Sequence, residues 1–255
     1  MGGSVLAVCS GALVGLFLGL LGGGGSILAV PLLIYVVGIA DPHVAVGTGA
    51  VAVGVSALTN LLLHARARTV KWPCATVFAC SGVAGAFLGA RLGQSIDGQK
   101  LLLAFAVAMI GVGLSMLHGP AEAGDAAVRL DRRIAVRLVP TGLATGFASG
   151  FFGIGGGFLI VPGLMRAANM TMINAVGSSL LAVTAFGTST AVSYALAGLI
   201  AWRAAGLFIL GGVMGGLIAQ PLSRRLAARK GLLKRAFAVC IFIVAIYMAV
   251  RSAHN

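Results

Sequence analysis

The chain has 255 residues, of which 59% are hydrophobic and 9% are charged, and its mean hydropathy is +1.07. Soluble domains carry about a quarter charged residues, so this composition excludes a water-soluble globule and predicts an integral membrane protein. The net charge of +13 does not indicate a nucleic-acid partner, because basic residues of membrane proteins collect in cytoplasmic loops.

The first half of the chain contains five apolar segments, at about residues 4–21, 26–40, 43–63, 73–93 and 101–117. A helix that spans the membrane needs about 20 apolar residues. Residues 26–39 fall short, since at about 1.5 Å per residue they extend about 21 Å and the hydrocarbon core is about 30 Å thick. We therefore predict that the first two segments form a broken or re-entrant helix pair.

A run of four glycines joins these two segments and precedes Ser26. Glycine adopts conformations closed to other residues and lets a ligand approach the backbone. A helix that begins after such a turn has N–H groups without intrahelical partners, which together with the helix dipole form an anion site. The alternative is close helix packing through small residues. We predict that this apex binds substrate through Gly23, Gly24, Gly25 and Ser26.

The third segment of each half carries hydroxyl and amide side chains, which could bind an anion or join helices. They are Thr48, Ser56, Thr59 and Asn60 in the first half and Ser178, Ser179, Thr184, Thr188, Ser189 and Thr190 in the second. Thr48 and Ser178 follow the same Val-Gly dipeptide, and Ser179 comes next. We predict that these three bind substrate.

Residues 118–137 separate the halves and hold three of the five acidic residues of the chain. We predict a solvated linker here, between a first transmembrane repeat at 1–117 and a second at 138–255. The second half offers apolar segments at about 138–152, 157–169, 173–198, 204–222 and 236–250. Its glycine apex begins at Gly153, and its predicted substrate-binding residues are Gly155, Gly156 and Gly157.

The two halves match as an internal repeat. GLFLGLLGGGGSILAVP, from Gly15, aligns with GFASGFFGIGGGFLIVP, from Gly146, at an offset of 131 residues. AVGT, from Ala45, aligns with AVGS, from Ala175, at an offset of 130. Such self-similarity is typical of a duplicated architecture.

Positive charge predicts that the second repeat is inverted. With residues 64–72 in the cytoplasm, 14 of the 18 Lys and Arg residues fall on the cytoplasmic side, the linker included. Equivalent loops also differ in positive charge, since residues 64–72 are basic and residues 194–202 contain no Lys or Arg. We predict an all-α integral membrane protein, an inverted-topology repeat transporter. Each half has a glycine-apex helix pair plus three spanning helices, and both apices point to one midplane site.

No Asp or Glu lies within a spanning segment, and His43 and His64 lie at segment ends, where we predict interfacial residues. Export of an anion needs no coupling ion, since it gains about 2.3 kcal/mol per charge per 100 mV. Import of the same or carboxylate anions stays open. No enzyme or cofactor is expected: Ser26 has no histidine partner for nucleophilic catalysis. A thiol relay would need Cys9 and Cys80 close together.

At GLLGGGGSILAVPLL and GFFGIGGGFLIVPGL, with AVGTG, AVGSS and the paired Trp72 and Trp202, the chain resembles the sulfite exporter TauE/SafE family. The resemblance covers essentially the whole chain. It implies a multi-pass permease of the bacterial inner membrane for sulfite, organosulfonates and related sulfur-containing anions. The partners it implies are a small anionic substrate and the lipid bilayer, and homo-oligomerisation is left open.

Overall fold

The computed structural model describes residues 2–118, 124–125, 128–153 and 157–226. The regular elements within these ranges are all helical. They are α1 (Gly2–Leu21), a 3₁₀ segment (Gly22–Leu28), α2 (Ala29–Tyr35), α3 (Pro42–Arg66), α4 (Trp72–Gln94), α5 (Gly98–His118), α6 (Arg132–Phe152), α7 (Gly157–Ala168), α8 (Met172–Leu196) and α9 (Trp202–Leu226). The last predicted segment, 236–250, lies outside the described residues.

Six helical segments in the described part of the chain are long and apolar enough to cross a membrane. They are Gly3–Tyr35, Pro42–Arg66, Trp72–Gln94, Arg132–Phe152, Met172–Leu196 and Trp202–Ala219. Large apolar side chains on their outer faces are exposed, as expected where lipid replaces water; Leu88 and Leu196 are examples. The all-helical, multi-pass prediction is confirmed.

Aspartate side chains begin two of the helices. The Asp41 carboxylate accepts hydrogen bonds from the N–H groups of His43 and Val44 at the start of α3. The Asp131 carboxylate accepts one from Ile134 N–H at 2.7 Å. Because Asp131 supplies this cap, α6 begins at Arg132, six residues before the predicted boundary at 138. The end of the predicted linker is therefore helical.

Helices α1 and α9 pack in the same direction, and glycines allow their backbones to touch. A Cβ added at Gly11 would meet the Phe208 carbonyl, and one added at Gly15 would meet the Gly212 carbonyl. Both contact positions advance by four residues, so the two helices run parallel. This pair joins the first half of the chain to the second.

Helices α4 and α6 form a second pair of this kind, in which α4 belongs to the first half of the chain and α6 to the second. A Cβ at Gly146 would meet the Gly82 carbonyl, and one at Gly150 would meet the Ala86 carbonyl. These two helices also run parallel. Close backbone approach through small residues is the usual way that membrane helices pack.

Helices α3 and α8 lie between the two pairs and run antiparallel. Gly47, near the start of α3, contacts Tyr194, near the end of α8, and Gly54 contacts Gly187. The side chains along this contact are buried, and Phe78 of α4 stacks on Phe186 of α8 with ring centroids 6.2 Å apart. The protein core is therefore centred on α3 and α8.

Candidate functional site

The first glycine run folds the chain back against α1. Gly22 has a φ of +65°, and every residue of Gly22–Leu28 is buried. Gly25 packs on the backbone of Phe17 and Leu18. In a continuous helix, Leu18 and Gly25 would be about 10 Å apart along the axis. Only glycine adopts the left-handed conformation at Gly22 without cost and leaves room for these contacts.

A hydroxyl group from the second half holds this turn. Gly23 N–H donates to Ser179 Oγ at 3.2 Å, and the Ser179 hydroxyl donates to the Val176 carbonyl at 2.7 Å. The Ser26 hydroxyl donates to the Gly23 carbonyl at 2.7 Å. The structure therefore brings together three predicted site residues, Gly23, Ser26 and Ser179, in the protein interior.

The hydroxyls of Thr48 and Ser178 serve a different contact. Thr48 Oγ1 accepts a hydrogen bond from Ala201 N–H, just before α9, and Ser178 Oγ accepts one from Lys71 N–H, just before α4; both measure 2.9 Å. Thr48 precedes the end of α3 by about 27 Å along the helix axis, and Lys71 lies beyond that end. The structure therefore does not place Thr48 and Ser178 in one pocket.

The second glycine turn lies at the opposite end of the core from the first. Gly153 also has a φ of +65° and packs on Val46, near the start of α3, whereas Gly22 packs on Val176, near the start of α8. Because α3 and α8 are antiparallel, these positions are far apart. Gly22 and Gly153 are therefore not neighbours, and a shared midplane site of the two apices stays a prediction. The segments that follow them do meet, since the 3₁₀ segment packs against α7.

Gly157 begins α7, while Gly155 and Gly156 lie outside the described residues. The first turn of α7 contains no acidic residue, and neither does that of the 3₁₀ segment, which also lacks a side-chain cap. The chain thus places no carboxylate of its own at these inner helix starts, in contrast to α3 and α6. An anionic ligand would be stabilised there by the N–H groups and the helix dipole.

The burial of His64 was not predicted from the sequence. We expected an interfacial residue, but its side chain is buried; Nε2 lies 3.2 Å from the Gly19 carbonyl oxygen and Nδ1 lies 2.9 Å from Thr69 Oγ1. The signal was its spacing of four residues from Asn60, which places both on one helix face. Asn60 also contacts Gly19.

The structure gives no support to the serine hydrolase alternative, because the Ser26 hydroxyl donates to a carbonyl, which cannot act as a base. Within the described residues, Cys9, Cys74 and Cys80 are free thiols. No group of three or more His, Cys, Asp or Glu side chains that could hold a metal ion occurs in the same part of the chain.

The chain is similar to known membrane transporters. The family model for the sulfite exporter TauE/SafE matches residues 7–248. A probable membrane transporter protein of Xylella fastidiosa strain Temecula1 is 52% identical over 249 residues, which are 97% of this chain and 95% of that protein. YunE of Bacillus subtilis, also a probable membrane transporter protein, is 25% identical over 88% of this chain and 90% of its own. No solved structure matches the chain.

Proposed function

The chain belongs to the sulfite exporter TauE/SafE family and is a membrane transporter, not an enzyme; from this premise we propose that it exports sulfite or organosulfonate anions. We place it in the bacterial inner membrane with the linker, 118–137, in the cytoplasm. That orientation puts most of the Lys and Arg residues inside. Import of related sulfur-containing or carboxylate anions is the alternative.

We infer that the two halves are inverted repeats. Three packing relations support this: α1 runs parallel to α9, α4 runs parallel to α6, and α3 runs antiparallel to α8. Since the loop of residues 67–71 makes α4 run opposite to α3, α1 and α6 then point in opposite directions. Secondary transporters use this architecture to open one site to either side of the membrane in turn.

The observation that carries the proposed site is the buried first glycine turn. Its Gly23 amide already binds an oxygen atom, the hydroxyl of Ser179, across the contact between the halves. An oxyanion offers the same kind of acceptor with a full charge, and charge-assisted hydrogen bonds are about twice as strong. We therefore place the anion at the 3₁₀ segment, near Gly23, Gly24, Gly25, Ser26 and Ser179.

We propose that Thr48 and Ser178 act on transport indirectly. Each hydroxyl joins a core helix of one half to a loop of the other, and each is fully buried. They hold the two halves together, and they would affect transport through the packing of the site. Gly155, Gly156 and Gly157 remain proposed anion contacts of the second half.

The transport proposal is tested with purified protein in liposomes, with the voltage set by a potassium gradient and valinomycin. Sulfite and small organosulfonates should pass and respond to voltage, as expected for a moving charge. Ser179→Ala should lower the flux about tenfold, because it removes a hydroxyl that we place beside the anion, and a hydrogen bond to a charged group contributes about 1.5–3 kcal/mol.

Ser178→Ala is the matched control, because it removes a neighbouring buried hydroxyl that bonds Lys71 instead of the glycine turn. We expect it to lower thermal stability and to leave the ranking of anions unchanged. Liposomes no more permeable to these anions than protein-free ones would contradict the proposal. A preference for carboxylates, or retention of sulfite by cells that express the protein, would favour the alternative.

A further inference from the structure

His64 lies where α3 ends against α1, in the protein interior. Its imidazole has a partner at each nitrogen: the Gly19 carbonyl oxygen at Nε2 and Thr69 Oγ1 at Nδ1. The Thr69 hydroxyl also lies 3.1 Å from the carbonyl oxygen of His64 itself. These contacts allow a complete assignment of hydrogen bonds.

A proton can join or leave His64 without the loss of a hydrogen bond. A carbonyl oxygen can only accept, so Nε2 carries a hydrogen in both states. In the neutral ring, Nδ1 accepts from the Thr69 hydroxyl. In the charged ring, Nδ1–H donates to Thr69 Oγ1, and the Thr69 hydroxyl turns to the His64 carbonyl. Buried groups usually lose a partner when they titrate, at a cost of about 1–3 kcal/mol; His64 does not.

His64 is connected to the first glycine turn by two routes. Gly19 lies in the last turn of α1, three residues before Gly22. Thr69 Oγ1 lies against Gly177 of α8, where an added Cβ would be 2.6 Å from it. The next residues of α8 are Ser178 and Ser179, and Ser179 binds the Gly23 amide. A charge on His64 would therefore act close to the proposed anion.

The charged residues that follow His64 in the chain are cationic. They are Arg66, on its own helix, and Arg68 and Lys71, in the next loop. Helices α1 and α8 contain no Lys, Arg, Asp or Glu. Their other titratable groups, Cys9 and Tyr194, and His43 on α3 lie toward the opposite end of the core.

The described carboxylates on this side, Asp125 and Asp131, precede α6, which packs mainly on α4. Within the described residues, we therefore find no acidic side chain placed to balance a charged imidazole. A bound anion would supply that negative charge.

We propose that His64 binds a proton together with the anion and so sets the affinity of the first glycine turn. The inference rests on the proposed transport of anions. Coupling is reciprocal, so a bound proton tightens anion binding and a bound anion tightens proton binding by the same factor. The equivalent position of the second half is Tyr194, which stays uncharged over the range in which histidine titrates. The proposed coupling of proton binding to anion binding is thus confined to the first glycine turn.

The test measures KM for a radiolabelled alkyl sulfonate in proteoliposomes from about pH 5 to pH 8, where histidine titrates and the sulfonate stays ionised. In the wild type, KM should fall about tenfold as the pH falls, within the usual range of coupling factors. In His64→Gln, whose amide can donate to Gly19 and accept from Thr69, KM should vary less than about twofold. His43→Gln is the matched control and should keep the wild-type profile.

Thr69→Val provides a second variant that keeps the imidazole and removes the oxygen that accepts Nδ1–H. Its KM should still fall as the pH falls, but the change should occur at a lower pH than in the wild type. A wild-type pH profile in folded His64→Gln, or in Thr69→Val if the first variant does not fold, would overturn the role of His64 alone. Wild-type liposomes that pass no sulfonate or sulfite would overturn the transport proposal, and this inference with it.

Discussion

Gly22→Asn should abolish anion flux in proteoliposomes, whereas Gly38→Asn should leave it within about twofold of wild type. Both glycines have a positive φ, +65° at Gly22 and +88° at Gly38. Asparagine tolerates this conformation better than other side chains. The residue equivalent to Gly38 in the second half is Asn169, with a φ of +51°. Both variants thus place asparagine at a positive φ.

The surroundings of the two glycines differ. A Cβ at Gly22 would lie 2.6 Å from Ser179 Oγ and 2.9 Å from the Val176 carbonyl oxygen, while one at Gly38 would have no atom within 4 Å. The substitution at Gly22 must therefore displace Ser179 from the Gly23 amide. Flux of radiolabelled sulfonate, normalised to folded protein by size-exclusion chromatography, measures the difference. Equal flux in the two variants would mean that the first turn serves only packing.

Gly15→Leu and Gly146→Leu should each prevent the protein from folding. Cβ atoms at these positions would meet the backbone carbonyls of Gly212 and Gly82. A backbone atom cannot move aside as a flexible side chain can, so each helix pair would have to separate. Overpacking of a core costs about 1–3 kcal/mol even where side chains can adjust, and the cost here should be higher.

Gly206→Leu is the control for these variants, because Gly206 lies on α9 and a Cβ there would have no atom within 4 Å. Fluorescence-detected size-exclusion chromatography of detergent extracts should show a monodisperse peak for Gly206→Leu and for wild type. The other two variants should give aggregate or no peak. A monodisperse, thermally stable Gly15→Leu or Gly146→Leu protein would contradict the observed pairing of α1 with α9 or of α4 with α6.

Most helix positions could be predicted from the sequence, because the length of an apolar segment determines whether it can span the membrane. The predicted third segments, 43–63 and 173–198, nearly coincide with α3 and α8. The predicted boundary at 138 lies inside α6, because residues up to 137 were assigned to a linker rich in charged residues, although Asp131 caps a helix that begins at Arg132. Length and charge patterns do not record such local caps.

The composition of the candidate site was harder to predict. The repeat singled out Thr48 and Ser178 as a matched pair, but matching positions in a duplicated chain occupy matching environments and need not be neighbours. Each bonds the loop of the other half. The contact of Gly23 with Ser179 spans 156 residues of sequence, and no local pattern reveals such a pairing. For the same reason, the partners of His64 could not be foreseen.

Main-chain N–H groups of the first glycine turn are proposed to bind the transported anion. A cryo-EM map of the protein in nanodiscs with a saturating organosulfonate would test this binding. We predict density for the sulfonate beside residues 22–26, with an oxygen atom about 3 Å from the Gly23 nitrogen. Sulfonate density elsewhere in the protein, with Gly23 still bonded to Ser179 and its turn covered by apolar side chains, would contradict the claim.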